Sequence, residues 1–354
     1  MKCAFIDLGK QFGGAENYLI EIVTQWVNRG NDAVILVKKD SIFEQKLLNS
    51  HLKDKVFGVS FSIKDIKYIR NLFLQSDIDE LNINGINSGV FVSFLRLNKK
   101  KITTVHSNAD IDRINKPLFI RKMFVSTENK LLKKSHKIIV VSSAIKELLI
   151  SRGIDKKKIV VIPNGIKTIN YENKNYRENS NHILKICYVG RLEKVKGCEY
   201  LIHALSKLED KYICDIYGEG SLAAELETLS KKNNTNVYFK GFSSNIRNIF
   251  PQYDVIVIPS LYEASPLIIP EAMNAKVLLV CSNVGGIPFI IKHKENGYLF
   301  EKGNVKQLAE ILTNIKNNPI EQIPIIENAY NDFLNNYTND IMFKRTLKIL
   351  EETE

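Results

Sequence analysis

Strand-like and helix-like segments alternate along almost the whole of this 354-residue chain. Short apolar runs such as "KCAFIDLG" and "DAVILVKK" have the length and composition of buried strands, and amphipathic stretches such as "AENYLIEIVTQWVNRG" lie between them. Further strand candidates of the first half are "ELNINGI", "KITTVHS" and "KIIVVSS". Because parallel strands need a crossover connection, usually a helix, this alternation predicts an α/β fold with parallel sheets.

A polar, Asn-rich segment, "KTINYENKNYRENSNH", interrupts this pattern at 167–182. The alternation then begins again with "ILKICYVGRL", "ICDIYGEG", "NVYFKGF", "DVIVIPS", "KVLLVCS" and "GYLFEKG". A chain of this length suffices for two domains of ordinary size. We therefore predict two doubly wound, Rossmann-like domains, 1–166 and 183–336, that face each other across a cleft. The segment 167–182 is the predicted linker, and 337–354 is predicted to form a C-terminal helix that packs back on the first domain.

The charge of the chain is unevenly distributed. The net charge is +11, but residues 1–170 hold 29 Lys and Arg against 16 Asp and Glu, whereas the remainder holds 21 against 23. This asymmetry indicates an anionic partner for the first half, such as a membrane surface, a lipid phosphate or a nucleic acid. No apolar run approaches the ~18 residues that a bilayer span requires, and the apolar stretch at the start is too short for a signal peptide.

The spacing of the cysteines and the lack of two nucleotide-binding motifs argue against several classes of protein. Four of the five cysteines lie in apolar strand-like runs and no pair has metal-ligand spacing, which indicates buried, reduced thiols in a cytoplasmic protein. The chain has no G-x-G-x-x-G after its first strand and no Walker sequence. Their absence argues against a dinucleotide oxidoreductase and a P-loop NTPase.

Two glutamates flank an apolar core in "SLYEASPLIIPEAMNAK", residues 260–276. Pro266 and Pro270 exclude one continuous helix, because a proline inside a helix lacks the amide hydrogen and clashes with the preceding turn. The pattern instead predicts a loop that carries Glu263, followed by a helix that begins near Pro270 and has Glu271 in its first turn. Loops and helix starts are the places where α/β folds bind ligands.

Glycines mark two strand-to-helix turns. In "GKQFGGAEN", Gly13 and Gly14 let the backbone approach a ligand closely and the next helix offers free amides, although a plain tight turn has the same pattern. In "YVGRLEKVKGCEYLIHAL", Arg191 and Lys196 precede a helix whose start is marked by Gly197. Two cations at such a turn are well placed to bind a diphosphate. A solvated basic turn is the alternative interpretation.

Taken in order, "GGAE", "VIPNG", "GRLEKVKG", "YGEG", "PSLYEASPLIIPEAM" and "GGIPFIIKHKENGYLF" resemble the motifs of the retaining GT-B glycosyltransferases of family four, the glycosyl transferases group 1. The resemblance covers nearly the whole second domain and scattered points of the first. Its most specific element is the E-x7-E pattern of Glu263 and Glu271. It implies a GT-B fold and transfer of a sugar from a nucleoside-diphosphate sugar. It also implies retention through front-face attack assisted by the donor phosphate.

The same resemblance implies roles for individual residues. Glu271 binds the ribose hydroxyls, Glu263 faces the donor sugar, and Arg191 and Lys196 neutralise the leaving diphosphate. Further implied contacts are the amides of Ser265, Leu267 and Ile268 at sugar and phosphate, Gly13 and Gly14 at the phosphates, His106 near the sugar, and Gly218, Glu219, Gly241 and Phe242 near the base. The family often has Gly-Phe or Gly-Leu after the first glutamate, where this chain has Ala264 and Ser265, so the identity of the sugar stays open.

No metal or other cofactor is expected. Breaking the bond to a nucleoside diphosphate builds negative charge on the leaving phosphate, which positioned cations and helix amides stabilise. Metal-dependent transferases of another fold use a D-x-D triplet, and the chain contains two, Asp77 to Asp79 and Asp110 to Asp112. So short a pattern arises easily by chance, and the first triplet precedes a strand rather than following one.

A basic amphipathic helix is predicted between His106 and Val140. Leu118, Phe119 and Met123 share its apolar face with Phe124. The basic residues around this face are Arg121, Lys122, Lys130, Lys133 and Lys134. Such a helix can lie on an anionic membrane, and an ordinary core-facing helix with a solvated basic side is the alternative.

These observations predict a metal-independent, retaining hexosyltransferase that uses a UDP-sugar and builds bacterial surface glycans. The expected acceptor is a glycan, a lipid-linked sugar or a protein at the inner face of the cell membrane. A nucleotide-sugar epimerase on the same fold, which would act on the donor alone, is one alternative. A non-catalytic sugar-nucleotide-binding subunit, which would not need Glu263 and His106 together, is another. A DNA-modifying transferase is motivated by the positive charge only, and no nucleic-acid partner is expected.

Overall fold

Two parallel β-sheets form the framework of the protein in its computed structural model, which describes residues 1–9, 14–107, 116–171, 183–208 and 212–351, with the backbone alone at 14 and 15. One sheet has seven strands and the other has six, and all strand pairs are parallel. Helices connect successive strands within each sheet, except before the last strand of the second sheet, where the connection contains only the 3-10 turn Ile287–Phe289. The predicted α/β fold with two doubly wound domains is confirmed.

The first compact unit comprises 1–165 and 339–354, and the second comprises 166–338. The strands of the first unit are β1 Lys2–Asp7, β2 Asp32–Lys38, β3 Val56–Val59, β4 Glu80–Asn84, β5 Lys100–Val105, β6 Lys137–Val140 and β7 Ile159–Val161. Its helices are α1 Gly14–Asn28, α2 Ile42–Leu48, α3 Ile63–Gln75, α4 Gly85–Leu95, α5 Leu118–Lys133, α6 Ser143–Ser151 and, from the end of the chain, α13 Asn339–Glu351.

The second unit repeats this architecture. Its strands are β8 Leu184–Val189, β9 Tyr212–Tyr217, β10 Val237–Gly241, β11 Val255–Ile258, β12 Leu278–Ser282 and β13 Tyr298–Phe300. Its helices are α7 Cys198–Leu205, α8 Ala223–Lys232, α9 Ile246–Ile249, α10 Ile268–Asn274, α11 Val305–Asn317 and α12 Ile323–Asn336.

The last helix, α13, belongs to the first unit. Its buried side chains include Met342, Phe343 and Leu347, which join the core that α1 forms against β1 and β2. Trp26 of α1 is fully buried in that core, and its indole nitrogen donates a hydrogen bond to the carbonyl of Asp32 at 2.9 Å. The apolar face of α13 therefore has its partner on the N-terminal sheet.

The segment predicted as a linker begins as part of the second unit. Two hydrogen bonds of 2.9 Å join Ile169 and Asn274: the backbone amide of Ile169 donates to Oδ1 of Asn274, and Nδ2 of Asn274 donates to the backbone carbonyl of Ile169. The hydroxyl of Tyr171 donates to the carbonyl of Arg247 at 3.0 Å. The rest of the predicted linker, 172–182, lies outside the described residues.

The order of the strands determines where a ligand can bind. The seven-stranded sheet has the order β3-β2-β1-β4-β5-β6-β7, and the six-stranded sheet has the order β10-β9-β8-β11-β12-β13. In each sheet the chain reverses its direction of winding at one point, between β1 and β4 in the first and between β8 and β11 in the second. Ligands of open α/β sheets bind beyond the carboxyl ends of the strands at such a point.

Candidate functional site

The turn after β8 and the turn after β9 are in backbone contact. Gly190 N donates to Tyr217 O at 3.0 Å, and Leu192 N donates to Glu219 O at 2.9 Å. At Gly218, whose φ is +140°, a Cβ atom would lie 1.9 Å from the carbonyl oxygen of Gly190. Only glycine fits there, so the "YGEG" motif allows the two turns to meet at the edge of the sheet.

The turn after β8 also carries the two predicted cations. Arg191 is exposed, and Lys196 ends the short 3-10 turn Lys194–Lys196. Gly197 follows with φ +63°, and a Cβ there would lie 2.1 Å from the carbonyl oxygen of Pro259. The turn after β8 is therefore in contact with the residues that follow β11. These two strands flank the point where the direction of winding reverses.

Lys196 and Glu263 form an ion pair across that point. The ammonium of Lys196 contacts Oε1 of Glu263, and the hydroxyl of Ser260 donates to the same oxygen at 3.1 Å. The side chains of Lys196 and Glu263 are only 23% and 13% exposed, so the pair is shielded from water far more than an ordinary surface pair. The predicted diphosphate cation and the predicted sugar-binding carboxylate are therefore neighbours.

Two glycines from the turn after β12 hold the loop of Glu263. Gly286 N donates to the carbonyl of Glu263 at 2.7 Å. A Cβ at Gly285 would lie 2.0 Å from that carbonyl oxygen, and one at Gly286 would lie 2.1 Å from the carbonyl oxygen of Ala264. The "GGIP" motif thus places the backbone of Glu263, a function that the sequence pattern did not reveal.

Helix α10 begins at Ile268, two residues before the start that was predicted near Pro270. Pro270 is tolerated as the third residue because an amide in the first turn has no intrahelical acceptor. Glu271 N donates to Leu267 O at 3.2 Å. The amides of Leu267 and Ile268 precede this bond at the start of the helix, where the resemblance places sugar and phosphate.

Glu271 faces an arginine from α9. The Nε of Arg247 lies 4.0 Å from Oε1 of Glu271. Burial raises the pKa of the Glu271 carboxyl, and the positive charge of Arg247 opposes that rise. Arg247 is held in turn by a hydrogen bond from Nη2 to the carbonyl of Lys167. Glu271, the residue predicted to bind the ribose, therefore has a positively charged side chain held in place beside it.

The residues predicted near the base lie at the ends of β9 and β10. Gly241 has φ +69°, Phe242 is 73% exposed, and Glu219 is exposed. Gly218 N donates to the carbonyl of Gly241 at 2.9 Å, which joins the two strand ends. Ser265, in the loop before α10, is half-buried.

A partly buried hydrogen-bond chain joins β9 to Tyr253, the residue that precedes Asp254 and β11. The hydroxyls of Tyr217 and Tyr253 lie 2.9 Å apart, and Tyr253 donates to Oδ2 of Asp215 at 2.7 Å. Lys240 lies 3.5 Å from Oδ1 of the same carboxylate. Burial raises the pKa of the Tyr253 hydroxyl, and its bonds to Tyr217 and Asp215 add to the shift. Tyr253 therefore stays protonated and donates to Asp215.

A cavity of about 230 Å³ lies at the corresponding point of the first unit. Its lining includes Asp7 at the end of β1, Glu16 in the first turn of α1, Asn84 at the end of β4, and His106 after β5. Asp7 is buried and accepts a hydrogen bond from Gly9 N at 2.8 Å. Burial and the nearby charge of Glu16 raise the pKa of Asp7 to about 7.

His106 is neutral at physiological pH, because burial lowers its pKa to about 4. Its Nε2 lies 3.2 Å from Oδ1 of Asn84, whose Nδ2 donates to Oδ1 of Asn82 at 2.9 Å. Nε2 therefore carries the proton of the imidazole. Nδ1 is buried and has no hydrogen-bond partner within the described part of the chain. A ligand that hydrogen-bonds to His106 must replace Asn84 or reach a nitrogen that is now covered.

The predicted basic helix is α5, and its apolar end faces outward. Leu118, Phe119 and Met123 are exposed, whereas Phe124 is half-buried. Its basic residues Lys122, Lys130, Lys133 and Lys134 are exposed and Arg121 is half-buried. A groove between α5 and α6 is lined by Leu118, Lys122, Lys130, Lys133 and Leu148, among others. The expectation of a core-facing helix is therefore not met at its N-terminal end.

The first D-x-D triplet lies at the amino edge of the seven-stranded sheet, opposite its carboxyl edge. Asp79 accepts a hydrogen bond from the amide of Lys2 at 3.0 Å, so it sits at the amino ends of β1 and β4. The second triplet, Asp110 to Asp112, and Gly13 lie outside the described residues, and Gly14 begins α1. In the described ranges, no three His, Cys, Asp or Glu side chains gather as a metal site would require.

All five cysteines are buried and unpaired with one another, as their apolar context predicts. Among the described helices, none combines the length and the hydropathy that a bilayer crossing needs.

Several residues of these sites escaped the sequence analysis. Asp7, Asn84, Arg247 and Ser260 were not singled out. A signal existed for Asn84, because Asn82 and Asn84 alternate with apolar residues in a strand that is otherwise buried. Arg247 carried no signal, since nothing local distinguishes it from a solvated cation.

Two family models match the chain. Residues 172–332 match the family described as Glycosyl transferases group 1, and residues 12–169 match Glycosyltransferase Family 4. The two matches follow one another and together cover most of the chain.

Similar proteins carry related descriptions. An uncharacterised glycosyltransferase of Methanocaldococcus jannaschii is 31% identical over 61% of this chain and 60% of its own length. The amylovoran biosynthesis glycosyltransferase AmsK of Erwinia amylovora is 27% identical over 73% of this chain and 65% of its own. The chain thus spans less than two thirds of the length of either relative.

A solved structure has the same fold. HepE of Anabaena, crystallised in complex with UDP, superposes with a TM-score of 0.84 at 20% identity over 99% of this chain and 100% of that chain. At this identity the similarity shows the arrangement of the backbone.

Proposed function

The chain carries the two domains of a glycosyltransferase of the GT-B type, and from that premise we propose that it transfers a hexose from a UDP-sugar with retention of the anomeric configuration. The observation that carries the proposal is the pairing of Lys196 with Glu263 at the carboxyl edge of the six-stranded sheet. It supports the proposal because the cation that we assign to the diphosphate lies beside the carboxylate that we assign to the donor sugar.

The donor binds along the ends of β8 to β11. Lys196 and the exposed Arg191 hold the diphosphate, and the amides of Ser265, Leu267 and Ile268 contact phosphate and sugar. Glu271 accepts hydrogen bonds from the ribose hydroxyls beside Arg247. The base lies near Gly218, Glu219, Gly241 and Phe242. UDP is favoured as the nucleotide because HepE, which shares the fold, was crystallised with it.

Transfer proceeds on one face of the sugar. The acceptor oxygen bonds to the anomeric carbon as the bond from that carbon to the phosphate oxygen breaks, and the acceptor proton passes to the departing phosphate. Lys196 and Arg191 stabilise the negative charge that develops on the phosphate. Glu263 holds the hydroxyls of the donor sugar. Gly14 at the phosphates and His106 near the sugar retain the roles that the resemblance implies.

The acceptor is a glycan, a lipid-linked sugar or a protein, and the setting is surface-glycan synthesis in the cytoplasm at the inner face of the cell membrane. The positive excess of the first half supports an anionic surface nearby. The amylovoran biosynthesis enzyme AmsK, a relative over 73% of this chain, supports polysaccharide synthesis.

A donor panel tests the proposal. Thermal shift and calorimetry with UDP, GDP, ADP and their sugars should give stabilisation by UDP-sugars, since a ligand that binds the folded state raises apparent stability. Product analysis then follows hydrolysis or transfer, with EDTA present in a parallel reaction. Binding without any turnover indicates a non-catalytic subunit, conversion of the donor alone indicates an epimerase, and loss of activity in EDTA that Mg²⁺ or Mn²⁺ restores contradicts metal independence.

A further inference from the structure

Large apolar side chains protrude from one helical layer of the first unit. Phe61 is 51% exposed, Ile63 75%, Leu118 60%, Phe119 71% and Met123 56%. They lie immediately before or within α3 and α5, which are separated by α4 alone. Protrusion of several large apolar groups from one helical layer is a feature of an interaction surface.

These helices share one face of the seven-stranded sheet. The connections β3 to β4, β4 to β5 and β5 to β6 all step in the same direction along the sheet, and right-handed crossovers then place α3, α4 and α5 on the same side. Helix α4 packs against both neighbours. Gly89 of α4 makes room for Leu131 of α5, because a Cβ there would lie 2.8 Å from the side chain of Leu131.

The protruding side chains lie at the carboxyl edge of the sheet. A crossover helix runs opposite to its strands, so the N-terminal turns of α3 and α5 lie where β3 and β5 end. Ile63 begins α3 and Phe61 lies two residues before it, whereas Leu118 and Phe119 begin α5 and Met123 lies in its second turn. We name these five residues the apolar edge. It borders the side of the unit that carries the cavity beside His106.

Cations accompany the apolar edge. Lys64 and Lys67 of α3, Lys116 before α5, and Lys122 of α5 are all exposed. Asp65 is the acid of the first turn of α3, and it is already hydrogen-bonded by the amide and hydroxyl of Ser60. The surface therefore combines exposed lysines with protruding apolar groups.

We infer that the apolar edge inserts into the surface of an anionic bilayer, with Lys64, Lys67, Lys116 and Lys122 at the lipid headgroups. Apolar side chains that enter the acyl boundary beside a belt of lysines are the features of a protein that lies on a membrane. A nucleic acid would use the cations and leave the apolar groups in water. Docking here places the cavity at the bilayer surface, where a lipid-linked acceptor carries its sugar.

Vesicle co-sedimentation tests the inference. Wild type should bind vesicles of phosphatidylglycerol mixed with phosphatidylcholine much more strongly than phosphatidylcholine alone, and added salt should release it. Ile63→Ser combined with Phe119→Ser should weaken binding roughly tenfold or more, since each side chain loses its apolar burial. Ile320→Ser combined with Leu334→Ser, which alters exposed apolar residues of the second unit, should bind like wild type.

Charge variants separate the two contributions. Lys64→Gln, Lys67→Gln and Lys122→Gln should each reduce binding to anionic vesicles about fivefold, which is the ~1 kcal/mol that one lysine contributes at such a surface. In these variants, binding to anionic vesicles should also depend less strongly on salt concentration. Lys292→Gln and Lys306→Gln, exposed lysines of the second unit, are the matched controls.

A fluorescent label locates the contact. Because all five native cysteines are buried, Phe119→Cys offers one accessible thiol for an environment-sensitive dye, and Ile320→Cys is its control. Anionic vesicles should shift the emission of the label at 119 to the blue and leave the label at 320 unchanged.

The inference is overturned if wild type ignores anionic vesicles at low salt, if the apolar-edge variant binds as well as wild type, or if both labels respond alike. UDP binding without vesicles should be the same in all these variants. If wild type does not bind UDP, the proposed function is contradicted. The vesicle measurements then still test membrane binding independently.

Discussion

The ammonium of Lys196 and Oε1 of Glu263 form an ion pair at the carboxyl edge of the six-stranded sheet, and Ser260 donates a hydrogen bond to the same carboxylate oxygen. Glu263 thus neutralises the lysine that we assign to the diphosphate. A donor that binds there must share Lys196 with Glu263 or take it over.

The first prediction concerns that lysine. Lys196→Met should weaken UDP binding about 10- to 150-fold, since a charge-assisted contact contributes roughly 1.5–3 kcal/mol. Lys194→Met, two residues away in the same turn but exposed, should leave the affinity nearly unchanged. Isothermal titration calorimetry measures both. Equal affinities for Lys196→Met and wild type would remove Lys196 from the diphosphate site.

A second prediction separates the two glutamates. Glu263→Gln removes the charge that neutralises Lys196, so UDP should bind as tightly as to wild type or more tightly, while transfer slows roughly 10²-fold. Glu271→Ala should instead weaken UDP binding, because it removes the acceptor for the ribose hydroxyls. Kinetics and calorimetry on both variants give the comparison, and parallel losses of UDP affinity would refute the division of roles.

The third prediction is that Arg247 influences how the affinity for uridine depends on pH. The Glu271 carboxyl must be ionised to accept two ribose hydroxyls, and burial raises its pKa above the ordinary value of 4.5 while Arg247 limits the rise. Uridine affinity should therefore fall with decreasing pH, and in Arg247→Met the fall should begin at a higher pH. Uridine is the suitable ligand because it has the ribose and no titrating phosphate.

The control for this prediction is Lys276→Met, which removes a cation that follows α10 and pairs with Glu327. Its pH profile should match that of wild type. Calorimetric titrations from about pH 8 to about pH 5 would show the profiles. Coincident curves for Arg247→Met and wild type would exclude an electrostatic role of Arg247 at Glu271.

A fourth prediction follows from two opposed titrations beside the cavity of the first unit. Asp7 has a pKa raised to about 7 from 3.8, so the folded state holds a proton there that the unfolded state has lost, and stability should fall as pH rises between those values. His106 has a pKa lowered to about 4 from 6.5, so the unfolded state binds the extra proton, and stability should rise with pH over that interval.

The two contributions largely cancel in wild type and reappear in single variants. Thermal denaturation of Asp7→Asn should show stability that rises from pH 4 to 6.5, and His106→Gln should show stability that falls from pH 4 to 7, each by at most about 1.4 kcal/mol per pH unit. If the two variants change with pH in the same direction, at least one of these pKa shifts is absent.

How far the sequence predicts the fold can be seen at the strands. The buried central strands were all predicted, whereas β3 and β7 were missed, and these two are the edge strands of the seven-stranded sheet. An edge strand pairs on one side only, and β3 and β7 each bury one residue, so their apolar patterns are short and weak. The helix of Glu271 was predicted with its start two residues late, because proline is also tolerated later in a first turn.

The sequence by itself determined which residues stand where strands become helices, because hydrophobic period, glycine and proline act within a few residues of chain. It thus predicted Arg191, Lys196, Glu263 and Glu271 at the ends of strands. Only the tertiary structure decided which of them meet. Lys196 and Glu263 are 67 residues apart and become neighbours because β8 and β11 pair in the sheet. The partners of Glu271 and His106, Arg247 and Asn84, are likewise products of strand order. Which strands pair depends on the burial of whole sheet faces, and these faces are built from residues that are far apart in the sequence. No local sequence pattern encodes that pairing.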